Sequence, residues 1–472
     1  MNFSFELGLR NFVKCPDVNA SGIDRFGACP FVIRALRHKD VKEWYENVDI
    51  SNYTKVDANT FEGNYIISAG VTHSPEDWTG WPYCSERQLK RKNVLEFLSQ
   101  KNLSDIRSGK AIVVLDQSHE GYQTEWLWNW FHQTVDYYNI PHKSIVYITG
   151  NLLAKDQYVS WCKTYNLKQK IMVIPHTHFE HMIYEVALNR DRFHNNPIPS
   201  LEQQIQYKSQ NIHKIKDFNL LQKRLRSHRP WAFKTIHDSG VLGFGLVNMN
   251  SFDSINTWLE KKHIDEEDAK VLNAHLPMFV NDIPNNIKSD DHYINRITDD
   301  IMMDSWISLI SEASFADSDN TCFISEKTFK PIVCSHPFMI WGNKNSLHYM
   351  RELGYKTFHP YIDETYDTLS TWDRMDAIGK SLKKFHVIED KLEWYKKISD
   401  VLAHNLETLK KNSKKVLPES YVIFDIFKVL SKNFFTSVSV ELKSIIINSQ
   451  LSSGLTIFFK LLRLFPNNLS VP

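Results

Sequence analysis

Lys110-Ala111-Ile112-Val113-Val114-Leu115-Asp116-Gln117 decides the fold class. An unbroken apolar run with three β-branched residues, closed by Asp116, predicts a strand buried on both faces. Similar runs flank it at 64–69, closed by Gly70, at 144–149, closed by Gly150, and at 170–174, closed by Pro175. Between them, 124–138 carries Trp126, Trp130, Phe131 and Val135 at helical spacing, and 156–165 reads the same way. Short strands alternating with helices of ten to fifteen residues imply parallel βαβ units, so the first half predicts a Rossmann-like domain.

The rhythm returns further along. Strands are expected at 218–221, 245–249, 307–311 and 338–341, and helices at 231–238, 325–334 and 347–353, the last stopped by Gly354. The segment 197–213, rich in Gln, Ser and Asn, reads as a linker, and 376–409 reads as largely helical. The first sixty residues show no clear periodicity and are read as an N-terminal cap. The predicted fold is α/β: two Rossmann-like domains facing across a cleft, with a helical C-terminal extension. The expected divisions are an acceptor-side domain over 1–205, a nucleotide-binding domain over 206–375 and the extension over 376–472. In open α/β sheets ligands bind outside the C-terminal strand ends, which puts the chemistry in the cleft.

Composition narrows the function. Lys and Arg total 56 against 55 Asp and Glu, a net charge of +1, so no global field recruits a polyanion and any phosphate site is local. A hydrophobic fraction of 42% excludes a disordered polyelectrolyte. Cys15, Cys29, Cys84, Cys162, Cys322 and Cys334 lie far apart and read as reduced core thiols. The N-terminus lacks signal-peptide features. The apolar stretches at 438–449 and 455–465 are too short to span a bilayer and are broken by Glu441, Lys443, Lys460 and Arg463. A cytoplasmic protein without a transmembrane segment is expected. For 455–465 two readings stay open, a terminal helix packed on the body and a peripheral contact with a membrane surface.

The richest stretch chemically is Ile324-Ser325-Glu326-Lys327-Thr328-Phe329-Lys330-Pro331-Ile332. Ser325 suits an N-cap and Glu326 the first turn of a helix, while Lys327 and Lys330 fall three apart on one face. A helix start attracts phosphate through its free N–H groups, and two lysines there suit a diphosphate. Glu312, at the end of one expected strand, and Gly342, at the end of the next, frame the same rim, which reads as a nucleotide pocket. Arg224-Leu225-Arg226-Ser227-His228-Arg229 follows the strand at 218–221. Clustered guanidinium groups at a strand end suit bidentate phosphate contacts, with a basic surface turn or a local nucleic-acid patch as the competing readings.

This order of motifs resembles the donor-binding region of α1,3-fucosyltransferases. It is more similar to GT-B glycosyltransferase-like proteins of phages, giant viruses and bacteria, in which Ser-Glu-Lys-Thr-Phe-Lys-Pro-Ile precedes Pro-Phe, a glycine and a Gly-Phe-Lys-Thr-Phe element. Here the last element is Gly354-Tyr355-Lys356-Thr357-Phe358, and the likeness covers about 216–370. It implies a hexosyl- or fucosyltransferase-like enzyme taking a nucleoside-diphosphate sugar as substrate, with no separate cofactor, and a glycan or other hydroxyl-bearing acceptor. Glu326 would meet the ribose, Lys327 the diphosphate and Glu312 the donor sugar. Related sequences carry Asn-Arg followed by Arg-x-His-Arg, whereas this chain has Gln222-Lys223 before its basic cluster.

Inverting transfer needs a base for the acceptor hydroxyl, and the segment after the strongest strand, Leu115 to Tyr122, supplies Glu120 as first choice with Asp116 and His119 as competitors. His176, His178, Glu180 and His181 match no standard zinc spacing and read as an acceptor-side polar loop. Asp290-Asp291 and Asp299-Asp300 read as solvated acids or caps, so no metal is expected. Arg224, Arg226, His228, Arg229, Ser325, Glu326, Lys327 and Lys330 would carry the donor instead. The alternative is a non-catalytic nucleotide- or nucleic-acid-binding protein on the same fold.

Overall fold

The computed structural model describes residues 3–6, 53–55, 65–70, 95, 98–118, 120–121, 125–188, 198–222, 228–249, 265–276, 278, 297, 299–315 and 321–414. Among these, one sheet comprises β1 (Phe3–Glu6), β2 (Tyr53–Lys55), β3 (Tyr65–Gly70), β4 (Ala111–Gln117), β5 (Ile145–Thr149) and β6 (Met172–Pro175), in the order β2-β1-β3-β4-β5-β6. A second comprises β7 (Lys216–Gln222), β8 (Gly245–Met249), β9 (Ser305–Ser311) and β10 (Phe338–Trp341), in the order β10-β9-β7-β8. Every strand pair within both sheets is parallel. The apolar runs are central because helices cover both faces: β5 and β9 are buried along their whole length.

The helices are α1 (Gln100–Ser108), α2 (Glu125–Tyr137), α3 (Ala154–Thr164), α4 (His178–Leu188), α5 (Leu201–Gln210), α6 (Arg229–Asp238) and α7 (Glu266–His275). They continue with α8 (Asp299–Met303), α9 (Glu326–Val333), α10 (Ser346–Glu352), α11 (Thr371–His386), α12 (Lys391–Lys397) and α13 (Ser399–Lys414). Gly354 ends the turn after α10 with φ of 93°, a conformation that glycine adopts without a Cβ penalty. The first sheet's core gathers Trp128, Trp130, Phe131, Tyr147 and Tyr158, and the second sheet's core runs on into α11, α12 and α13.

The two sheets meet at their C-terminal strand ends, as the strand rhythm implies for two Rossmann-like domains facing across a cleft. Phe323, in the loop between β9 and α9, lies against Gly121 and Gly150, which follow β4 and β5. A Cβ built on Gly150 would stand 2.5 Å from the Phe323 ring and 2.6 Å from the Ser118 carbonyl, so only glycine allows this approach. Two hydrogen bonds close the border: Leu152 N–H donates to the Cys322 carbonyl at 2.9 Å, and Cys322 N–H to Asn151 Oδ1 at 3.0 Å.

Three expectations are corrected. The segment 197–213 holds α5, capped by Ser200 and Gln203, which buries Gln204 and Lys208 and packs partly buried Leu201, Ile205 and Tyr207 on the core. Lys208 donates to the carbonyls of Met302 at 3.0 Å, Met303 at 2.9 Å and Ser305 at 2.5 Å, and Gln204 donates to the Cys334 carbonyl. Burial pulls the Lys208 ammonium down to about 7, against the upward pull of Asp304. The supposed polar loop after Pro175 is the start of α4, which leaves the first sheet and packs on α9 and α13. There Glu180 accepts from Thr177 Oγ1 at 2.8 Å, Asn412 Nδ2 at 2.7 Å and the Tyr355 hydroxyl, so it joins the two halves. The N-terminal stretch contributes β1 and β2, which no periodicity announces.

Among the described residues no helix is long and apolar enough to cross a membrane. The 455–465 stretch and the acid pair Asp290-Asp291 lie outside the described residues, as does the C-terminal extension beyond 414.

Candidate functional site

In the second sheet the chain runs from β7 to β8 on one side and returns as β9 on the other. That reversal is a topological switch point, and the C-terminal ends of β7 and β9 flank the crevice where open α/β sheets take ligands. Glu312 is the first residue beyond β9 and has no solvent exposure. Its Oε1 accepts from Ser325 N–H at 3.1 Å and Thr328 Oγ1 at 2.6 Å, and its Oε2 from Ser325 Oγ at 2.5 Å and Ala313 N–H at 3.0 Å. Four donors on two oxygens is the filled acceptor pattern of a carboxylate.

This knot fixes where α9 begins. Ser325 is the N-cap, its Oγ accepting from Lys327 N–H at 3.3 Å while donating to Glu312. The sequence reading had Glu312 approaching the donor sugar; in the structure its four donors tie it to the helix start, which it orients. Thr328 completes the knot, one turn along from Ser325, and the sequence reading passed over it because a threonine inside a helix looks neutral.

Glu326 and Lys327 stand on the first turn, with Lys327 Nζ 2.6 Å from Glu326 Oε1. Burial acts to raise the Glu326 carboxyl, but Lys327 and Lys330 outweigh it and hold the group down at about 2. The helix start therefore presents an anchored carboxylate and an ammonium together. Lys327 keeps 22% of its side chain exposed, which leaves the ammonium reachable from solvent.

The basic cluster meets this knot from the β7 side. His228 Nε2–H donates to the Glu312 carbonyl at 3.0 Å, which fixes its tautomer, and its ring stacks on Phe315 with centroids 5.6 Å apart. Arg229 opens α6 and is 4% exposed. So His228, Arg229, Glu312, Ser325, Glu326 and Lys327 gather around one strand end, with half-buried Lys330 one turn further along α9. Arg224 and Arg226 lie outside the described residues.

From the first sheet comes the loop after β4. Glu120 is half-buried; its N–H donates to the Gln117 carbonyl at 3.0 Å and its carbonyl accepts from Gly150 N–H at 3.0 Å. The next residue, Gly121, is the one against Phe323, two positions before Ser325. Asp116 is the penultimate residue of β4, paired with Ile148; its side chain, and His119 altogether, lie outside the described residues. Phe323 was not singled out in the sequence, although Gly150, closing the strand at 144–149, was a signal that something comes close there.

No protein-family model matches the chain, and no curated protein matches it in sequence. Among solved structures it is similar to an alpha,alpha-trehalose-phosphate synthase (UDP-forming) from Burkholderia vietnamiensis, at 8% identity over 90% of this chain and 98% of that one, with a TM-score of 0.41. It is also similar to the N-terminal domain of Candida albicans trehalose-6-phosphate phosphatase, at 10% identity over 91% and 99% of the two chains, with a TM-score of 0.40. At scores below 0.5 these likenesses leave the function to be argued from the site itself.

Proposed function

We propose that the chain is a glycosyltransferase that holds a nucleoside-diphosphate sugar at the β7/β9 switch point and passes the sugar to a hydroxyl-bearing acceptor. The observation that carries this reading is the start of α9. There Ser325 is locked by Glu312 and Thr328 while Lys327 and Glu326 stand at the opening of the helix. The helix dipole and the adjacent Lys327 ammonium favour a diphosphate, and the Glu326 carboxylate beside them suits a ribose hydroxyl.

In this mechanism Lys327, Lys330 and Arg229 take up the charge that grows on the departing diphosphate, with Arg224 and Arg226, just before Arg229 in the sequence of the basic cluster, as further candidates. Fixed cations in these places supply the stabilisation a divalent ion would otherwise give, which favours metal-independent transfer. His228 and Glu312 position the two loops. Glu120, or Asp116 beside it on the same strand end, takes the proton from the acceptor hydroxyl on the face opposite the leaving group, giving inversion.

A thermal-shift panel with GDP, UDP, CDP and ADP, each with and without EDTA, tests the donor site. Native-state binding raises Tm by mass action, so one diphosphate should give a selective, EDTA-insensitive rise. A rise with every polyanion that vanishes at high salt would support the non-catalytic nucleic-acid reading instead.

A further inference from the structure

One residue before Glu312, the polar groups of the strand ends stand differently. Trp341 pairs with Ser311, Gln222 pairs with Met249, and the β7/β9 register of Phe218 with Ile307 and Asn219 with Ser308 continues to set Gln222 beside Ser311. Trp341, Ser311 and Gln222 therefore form one row across β10, β9 and β7, and residues abreast in parallel strands project from the same face. Glu312, the next residue in its strand direction, belongs to the other face.

All three are almost fully buried, at 0%, 3% and 1% exposure. Yet Trp341 Nε1, Ser311 Oγ and both Gln222 amide atoms have no hydrogen-bond partner among the described residues. A single orphaned group in a native core calls for an explanation, and three abreast at a switch point call for a common one. Beside the row Phe315 stacks with Trp341 at 5.6 Å and 27° and with His228 at 5.6 Å and 17°. The Arg374 guanidinium lies 4.6 Å from the Phe315 centroid.

We infer that this row reads the nucleobase of the bound nucleotide, an inference that rests on the donor site proposed above. The chemistry of the row selects the ligand. Trp341, Ser311 and the Gln222 NH2 offer donors, but an anion would leave the Gln222 carbonyl oxygen unmet, and an apolar group would leave every orphan unmet. A flat heterocycle offers donors and acceptors along one edge, which a glutamine amide matches in pairs, and its faces suit stacked aromatic rings. The position agrees: Ser311 and the phosphate-facing knot of Glu312 are consecutive residues, so a nucleotide lying over the end of β9 has its phosphates on one side and its base on the other.

The test uses the full chain with Gln222→Met and Ser311→Ala, close in shape but without the polar groups. Affinities are measured for GDP, UDP, CDP and ADP, and for inorganic pyrophosphate as a probe lacking a base. The wild type should prefer one base. Gln222→Met should lose about tenfold or more for that nucleotide and flatten the preference, with Ser311→Ala showing a smaller loss, while pyrophosphate affinity stays the same. Unliganded Tm should hold or rise by about 2–4 °C, since removing an orphaned group relieves its desolvation cost. An unchanged base preference in both variants would overturn this inference and leave the diphosphate site standing. Wild-type protein that binds none of the four nucleotides would overturn both. Unfolding of both variants would also overturn it, by showing that the row holds the core together.

Discussion

Two faces of one strand end behave in opposite ways. On the face of Glu312 every carboxylate oxygen is met twice, and the result is a helix start held in a fixed place. On the face of Ser311 a row of equally buried polar groups is left unmet. Buried polar atoms stabilise a fold only when they are paired. The difference teaches which residues build the site and which are held in reserve for a ligand: the satisfied face is scaffold, and the unsatisfied face is specificity.

The largest effect should come from breaking the satisfied face. Glu312→Ala strips the partners from Ser325, Thr328 and two backbone amides, and chemical denaturation should show a loss of about 3–5 kcal/mol, the range for removing one side of a buried charged cluster. Next comes the border that brings the first sheet to this strand end. Gly150→Ala forces a methyl group into Phe323 and the Ser118 carbonyl, and should cost roughly 1–3 kcal/mol by the same measurement. Pairing it with Phe323→Ala should recover part of that loss if the ring is the obstacle.

A pH titration sharpens the comparison further. The Glu326 carboxyl is held at about 2 in the fold against an ordinary 4.5, so the stability it contributes is fully present above pH 4.5 and is lost as the pH falls from there towards 2. Glu326→Gln should therefore show a flatter fall in stability over that acid window than the wild type. An identical slope would mean that Lys327 and Lys330 do not hold the group.

The parallel sheets were legible because strands covered on both faces become unbroken apolar runs, as at Ala111 to Leu115 and Ile145 to Ile148. The pieces that were missed follow other physics. β1 and β2 are three or four residues long, too short for a period to show. α5 hides its docking face because Gln204 and Lys208 are the residues it buries, and a polar stretch reads as a linker unless its partners are known. The site was legible in its residue types, since Ser325, Glu326, Lys327, His228 and Glu312 do gather at one strand end. What each one touches was not, because whether Glu312 meets a sugar or a serine hydroxyl depends on the path of the loop between them.

The central claim is that the start of α9 is a diphosphate site, and equilibrium titration of Lys327→Ala against the wild type tests it most directly. Lys327→Ala removes the nearest cation from the buried Glu326 carboxylate, so the unliganded Tm should fall, and the two affinities are compared at a temperature where both proteins are folded. The variant should lose about tenfold or more in affinity for the nucleoside diphosphate the wild type prefers. Equal affinity in the two proteins, with the fold intact in both, would contradict the account.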